Sequence, residues 1–243
     1  MDLERSYMTG ATARGAEFDQ GLRSYMLGVY NYMATALAVT GFVALATAMM
    51  SVSDGQLTSF GQVLFLSPLK WVIMFAPLGM VFLFASRVDR MAASTLQTLF
   101  WVYSVLMGVS LASIFLVYTG ESIARVFFVT AAAFAGLSLF GYTTKRDLSG
   151  MATFLFMGLI GVVIASLVNL FLGSTMVQFM ISVAGVVVFA GLTAYDTQRI
   201  KLMYVAGEDG EVTTKKSIMG ALSLYLDFIN LFLMLLSLFG NRE

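Results

Sequence analysis

Between Leu148 and Tyr195 the chain runs for 48 residues without a charged side chain. No other feature constrains the fold as tightly. A soluble helix that long needs a charged face, and this segment has none. A helix crosses the hydrocarbon core of a bilayer in about 20 apolar residues, so the run holds two crossings and a turn. The turn falls at "LGST", Leu172 to Thr175, with Gly173 stopping the first helix.

The other apolar runs obey the same arithmetic. Ser24–Ser53, Met91–Gly120 and Val126–Thr144 are each uncharged and long enough to span. Trp71–Ser86 is shorter and spans if the helix begins near Pro68 and Lys70 extends its ammonium outward. Pro77 is expected to kink that helix. The last run, from Ile218 to Phe239, is interrupted by one carboxylate. The spacing predicts an all-α membrane protein, a seven-transmembrane-helix bundle with spans near 27–50, 68–86, 95–118, 126–144, 150–171, 176–195 and 218–239. Residues 1–23 are read as a separate polar tail, either a surface helix or a disordered terminus, and residues 24–243 as the transmembrane domain. The longest polar connection, Arg199 to Ser217, precedes the last span. Gly108, Gly136, Gly158, Gly161, Gly185 and Gly191 are expected to let helices approach closely.

Charge orients the bundle. With the N-terminus cytoplasmic, eleven lysines and arginines face inward (Arg5, Arg14, Arg23, Arg87, Arg90, Lys145, Arg146, Arg199, Lys201, Lys215 and Lys216) and three outward (Lys70, Arg125 and Arg242). A last helix that crosses fully puts the C-terminus outside; a re-entrant one puts it inside.

Composition removes whole classes of chemistry. Charged residues are 12% of the chain, against about a quarter in a soluble domain. There is no histidine and no cysteine. That excludes Cys/His zinc sites, Ser-His-Asp and Cys-His nucleophiles, and a histidine pH switch. A net charge of zero gives no reason to expect a nucleic-acid partner. No cofactor and no catalytic residue is called for; the expected surroundings are the lipid bilayer.

Two carboxylates stand out. Asp196 follows the long neutral run, with Arg199 three residues on. Asp227 sits near the middle of the last span, where an aspartate costs about 2.5–3.5 kcal/mol to insert. Lys216 is eleven residues away, about 16 Å along a helix, too far to neutralise it. Ser223 and Asn230, at i−4 and i+3, make a narrow polar stripe with it that should face the bundle interior or a water-filled cavity. In the structural reading Asp196 is a helix-end residue paired with Arg199, and Asp227 is satisfied by interhelical hydrogen bonds. In the functional reading the two face each other and titrate as a coupled pair. Such a dyad serves a proton-sensitive gate with a weak Ca²⁺ site, since hard cations take oxygen ligands, or an aspartyl protease centre.

At these residues the chain resembles the Bax inhibitor family, the transmembrane Bax-inhibitor-motif proteins, in a bacterial form. "AYDTQRIK" (Ala194–Lys201) and "SLYLDFINLFLMLL" (Ser223–Leu236) resemble its two signatures, and "LMGVSLASIF" (Leu106–Phe115) its third helix. The resemblance implies a last helix at the centre of six others and a pH-sensitive Ca²⁺ leak in the bacterial inner membrane. It implies that Asp196 and Asp227 form the sensing dyad and the weak cation site. An arginine ending the second span, Arg87 or Arg90, is implied to latch onto the dyad in the closed state. Some members carry a glutamate in the second span; this chain has none between Asp54 and Asp89. The resemblance also implies an alternative, a regulatory protein that binds a membrane protease or a stress or cell-death factor. The aspartyl protease reading lacks support, because Leu224, Tyr225 and Leu226 precede Asp227 where those enzymes have Gly-x-Gly, and both prolines, Pro68 and Pro77, lie far upstream.

Overall fold

The computed structural model describes residues 2–242, with side chains from Asp19 onward except that of Asp89. The backbone is overwhelmingly helical: α1 (Asp2–Ser51), α2 (Ser59–Phe65), α3 (Leu69–Arg87), α4 (Ala93–Leu111), α5 (Gly120–Thr143), α6 (Ala152–Leu172), α7 (Thr175–Leu202) and α8 (Gly210–Phe239). Among the described residues seven of these helices, all but α2, are long and apolar enough to cross a membrane. They correspond one to one with the seven expected spans. The protein is a multi-pass, all-α membrane bundle.

Several boundaries differ from expectation. Helix α1 begins at Asp2 and passes residue 23 without a break, so the backbone shows no separate tail. The side chains of Arg5 and Arg14 lie outside the described residues. Helix α7 runs on to Leu202 and α8 starts at Gly210, capped by the Asp209 carboxylate on Glu211 N–H. The polar connection of 199–217 therefore shrinks to 203–209, its charges riding on helical turns instead. Glu208 and Lys216 close it with an ion pair of 2.7 Å. Between α1 and α3, where the expected spans leave only a connection, a short hairpin of Val52–Ser53 with Gln56–Leu57 turns over Asp54 and Gly55 at positive φ and leads into α2. The turn between α6 and α7 is as expected. Gly173 adopts the left-handed conformation (φ 59°) that lets a helix stop at once, and Ser174 caps α7 by accepting from Val177 N–H.

The last helix is long and apolar enough to cross fully. At about 1.5 Å per residue its 30 residues exceed the hydrocarbon thickness, and its end docks on the α4–α5 corner. There Asn241 accepts from Thr119 N–H at 3.1 Å and donates to Ser122 Oγ at 2.9 Å. Helix α8 is the most buried of the seven and packs extensively on α7, α1, α5 and α4. The six neighbours implied by resemblance reduce to these four at close range: α3 leans on α4, and α6 on α7. Helix α3 carries on through Pro77.

Of the six glycines expected at close approaches, four behave so. A methyl group on Gly108, Gly158, Gly185 or Gly191 would meet neighbouring atoms within 3.0 Å, whereas Gly136 and Gly161 face open space. Gly141 is a further tight approach, since a Cβ there would collide with the Ala194 carbonyl oxygen, seating α5 against α7 two residues before Asp196.

Candidate functional site

Asp196 and Asp227 lie on α7 and α8, the helix pair with the most extensive mutual packing. They are 8% and 5% exposed. Both carboxylates are thus buried on one adjacent helix pair. Asp196 is not a helix-end residue. Helix α7 continues six residues beyond it, nearly two turns, which buries the carboxylate within the bundle.

Both carboxylates are short of partners. Asp196 Oδ1 and Asp227 Oδ2 are buried without a hydrogen bond. Arg199 Nη1 stands 3.5 Å from Asp196 Oδ1, an ion pair too long for a good hydrogen bond, and the guanidinium is half-exposed. Buried polar groups are almost always bonded, and an unpaired carboxylate in a low dielectric is among the costliest exceptions. The interhelical hydrogen bonds that would have made Asp227 a structural residue are absent at its Oδ2.

The other predicted residues fall in two groups. Ser223 and Asn230 are half-buried on α8, as the stripe requires. Asn230 turns its amide back to the Leu226 carbonyl at 2.8 Å, however, and so serves its own helix. Arg87 and Arg90 end α3 and the turn that follows it; both are exposed, and among the described residues neither makes an ion pair. In this conformation the arginine nearest the dyad is Arg199.

The polar letters of "YDTQRIK" mostly fasten α7 to α5. Thr197 Oγ1 is 3.0 Å from Ser138 Oγ on α5, which in turn bonds Tyr30 OH of α1 at 2.6 Å. Gln198 clasps the α5–α6 loop, accepting from Leu148 N–H and donating to the Arg146 carbonyl, each at 2.9 Å. In the same loop the Ser149 backbone N–H holds the Asp147 carboxyl below the usual carboxylate range. Lys201 donates to the Tyr142 carbonyl at 2.8 Å, a cation on the last turn of α5. The second motif works alike: Tyr225 OH bonds Thr40 Oγ1 at 2.7 Å, and Thr40 donates to the Ser104 carbonyl at 2.9 Å, tying α8 to α1 and α4. Next to Asp227, Phe228 packs against Phe127 and Phe134 of α5, with ring centroids 5.4 and 5.5 Å apart. Sequence reasoning missed Tyr30, Thr40, Ser138, Thr197 and Gln198. Uncharged hydroxyls and amides are cheap enough in a span to raise no alarm, although Thr193 and Thr197 at i−3 and i+1 of Asp196 mark a polar face.

At the opposite end of α7 lies a second polar cluster that the sequence reading did not single out. Asn169 donates to Gln178 at 3.3 Å and accepts from Ser174 N–H at 3.1 Å. Gln178 donates to Ser237 at 3.3 Å, and Ser182 to Ser237 at 3.0 Å. It carries no carboxylate. No group of three or more acidic side chains that could hold a metal ion occurs among the described residues.

Comparison with known proteins agrees with this architecture. The family model described as "Inhibitor of apoptosis-promoting Bax1" matches residues 22–243. The chain is 50% identical over 232 residues to the Rickettsia prowazekii protein RP147, covering 96% of this chain and 95% of that one. It is 46% identical over 248 residues to a Caulobacter vibrioides protein, covering 100% and 99%. It is 47% identical over 225 residues to the Escherichia coli K12 protein named "Inner membrane protein YbhL", covering 92% and 94%. A match spanning the whole bundle, both carboxylate motifs included, makes this seven-helix membrane protein a member of the Bax inhibitor-1 family.

Proposed function

We propose that the protein is a pH-sensitive cation leak of the inner membrane, with Ca²⁺ as a permeant ion and the Asp196–Asp227 dyad as its gate. One observation carries the reading: two buried carboxylates on adjacent helices, each with an oxygen that no hydrogen bond satisfies. A fold does not keep such a pair for stability, because like charges in a dry interior repel and polar groups without partners cost free energy. Ionisable groups inside a bilayer bundle are functional by default.

The mechanism follows from charge. The ionised pair attracts cations, and Arg199 offsets part of its charge. The pair takes up protons as the pH falls, and its hold on any arginine weakens. In the latched state of this proposal Arg87 or Arg90 swings in on α3. That helix suits the task because it leans mainly on α4 and carries Pro77, which cannot donate to the Ile73 carbonyl. The α3–α4 corner sits beside the start of α8, where Ala93 N–H reaches Glu211 at 3.3 Å. Acid then releases the latch and raises flux. Two carboxylates supply few of the six to eight oxygens Ca²⁺ prefers, and such weak binding allows exit as well as entry.

The charge bias supports an orientation with the N-terminus cytoplasmic. The α5–α6 loop, the α7–α8 loop and the Gly21–Tyr25 turn of α1 gather at one end, through Gln198 with Arg146 and Tyr25 against Tyr204. Arg242, over the Tyr118 ring, marks the other. The name of the E. coli relative supports the same membrane for this chain.

The test is Ca²⁺ flux into proteoliposomes from pH 8 to pH 6. Wild-type flux should rise on acidification, and Asp196→Asn and Asp227→Asn should each flatten the response. An unchanged pH response in both variants rejects the dyad as sensor. Repeating the assay with and without a pH gradient at fixed internal pH separates a channel from a proton-coupled exchanger.

A further inference from the structure

Helices α1 and α5 both pack on α8, and between them lies a groove of about 590 Å³ that opens to the side of the bundle. Its size falls within the roughly 300–1,000 Å³ of ligand pockets. Met26, Met33 and Phe134 are buried in its wall, while Leu27 and Leu139 stand 52% and 64% exposed at its edges. The polar atoms along its length, Tyr30 OH and Ser138 Oγ, are already bonded to each other at 2.6 Å. The shaft therefore offers water little to bind and suits a hydrocarbon chain.

One end of the groove is different. Arg23 lines it, exposed and without an ion pair among the described residues, although Asp19 lies one turn away on the same helix. Tyr142 lines the same end, with the Lys201 ammonium 4.9 Å from its ring centre. Cationic mouth and apolar shaft together have the polarity of an anionic amphiphile, head at Arg23 and tail towards the middle of the bundle. A basic pocket between transmembrane helices at the interface is where acidic lipid headgroups bind. The edges face outward on α1 and α5, whose exposed surfaces carry Phe42 and Phe128, so the bilayer itself delivers the ligand.

We propose that this groove is a binding site for an anionic phospholipid of the leaflet on the Arg23 side, one acyl chain between α1 and α5 and the headgroup phosphate on Arg23. The site stands apart from the cation-leak reading and does not need it.

Native mass spectrometry of the full-length protein, supplied in turn with dioleoylphosphatidylglycerol and dioleoylphosphatidylcholine at equal concentration, tests it. The anionic lipid should be retained about fivefold more, the preference expected of one basic side chain at the interface. Arg23→Gln should bring the two lipids level, and Arg23→Lys should keep most of the preference. Ala135→Trp, which fills the exposed shaft without touching the core, should reduce retention of both. An undiminished preference in Arg23→Gln, or undiminished retention in Ala135→Trp, overturns the site. Competition by soluble glycerol phosphate as effective as that by the lipid points to a free phosphate at Arg23 and overturns the acyl-chain assignment. A dimer that Ala135→Trp dissociates makes the groove a contact between copies, which overturns it equally.

Discussion

The two ends of α7 hold polar clusters of opposite character. At the Thr175 end, Asn169, Gln178, Ser182 and Ser237 bond one another, and the groups are neutral. At the Leu202 end, Asp196 and Asp227 are ionisable, and each leaves an oxygen unbonded. Both clusters join α7 to α8, and both are polar islands in an apolar bundle. The first is what a helix interface looks like when hydrogen bonds are used to hold it together. The second leaves hydrogen-bonding capacity unused, which costs stability, and the proposed gate gives that cost a purpose. Burial and polarity alone would have ranked the two alike; satisfaction of hydrogen-bonding capacity separates them.

The largest effects should come from the charged end. In proteoliposomes, Asp227→Asn should reduce the ratio of Ca²⁺ flux at pH 6 to that at pH 8 to near one. Asp227→Leu should also stabilise the detergent-solubilised protein at pH 8 by about 1–3 kcal/mol in a reversible unfolding assay, because a buried group without a partner is removed. A marked loss of stability would show that Asp227 is a structural residue after all. At the neutral end the signs reverse. Gln178→Ala should cost about 1–2 kcal/mol by stranding the Asn169 amide and removing one bond to Ser237, while the pH profile of flux stays as in wild type. If the profile moves with it, the two ends are coupled and the contrast between them fails.

A third expectation concerns the latch. Of Arg87→Gln and Arg90→Gln, the one that removes the latching arginine should raise flux at pH 8 several-fold, and the other should leave it alone. Equal silence of both would leave Arg199, the arginine seen beside Asp196, as the counter-charge. The smallest effect is reserved for the neutral ties near the dyad. Thr40→Val, which breaks the bond to Tyr225, should cost about 0.6 kcal/mol, read as a small drop in midpoint temperature with flux preserved.

Much of this architecture was legible in the chain. Apolar length decides a span because backbone groups in lipid must be satisfied within the helix, so the seven spans and the stop at Gly173 could be read directly. Asp227 could be found because a charge in mid-span is rare and expensive. The ends of α7 and α8 could not be read so well. Glu211, Lys215 and Lys216 looked like loop residues, yet they occupy the first turns of α8, where solvent reaches them while the helix continues beneath. Asp196 looked like the end of a helix for the same reason. Charge marks where a side chain meets water or a partner, not where the backbone stops being helical.

Transfer free energy accumulates residue by residue along the chain, and the sequence by itself therefore determined the membrane, the number of crossings, the break at Gly173 and the anomaly at Asp227. Which residues share an interface depends on how helices distant in the chain pack and rotate about their axes. Only the tertiary structure could decide that both aspartates are buried with an oxygen each unbonded, that Arg87 and Arg90 make no ion pair among the described residues, and that Ser138 meets Thr197. The same packing decided that Gln178 and Ser237 satisfy each other while the two aspartates do not.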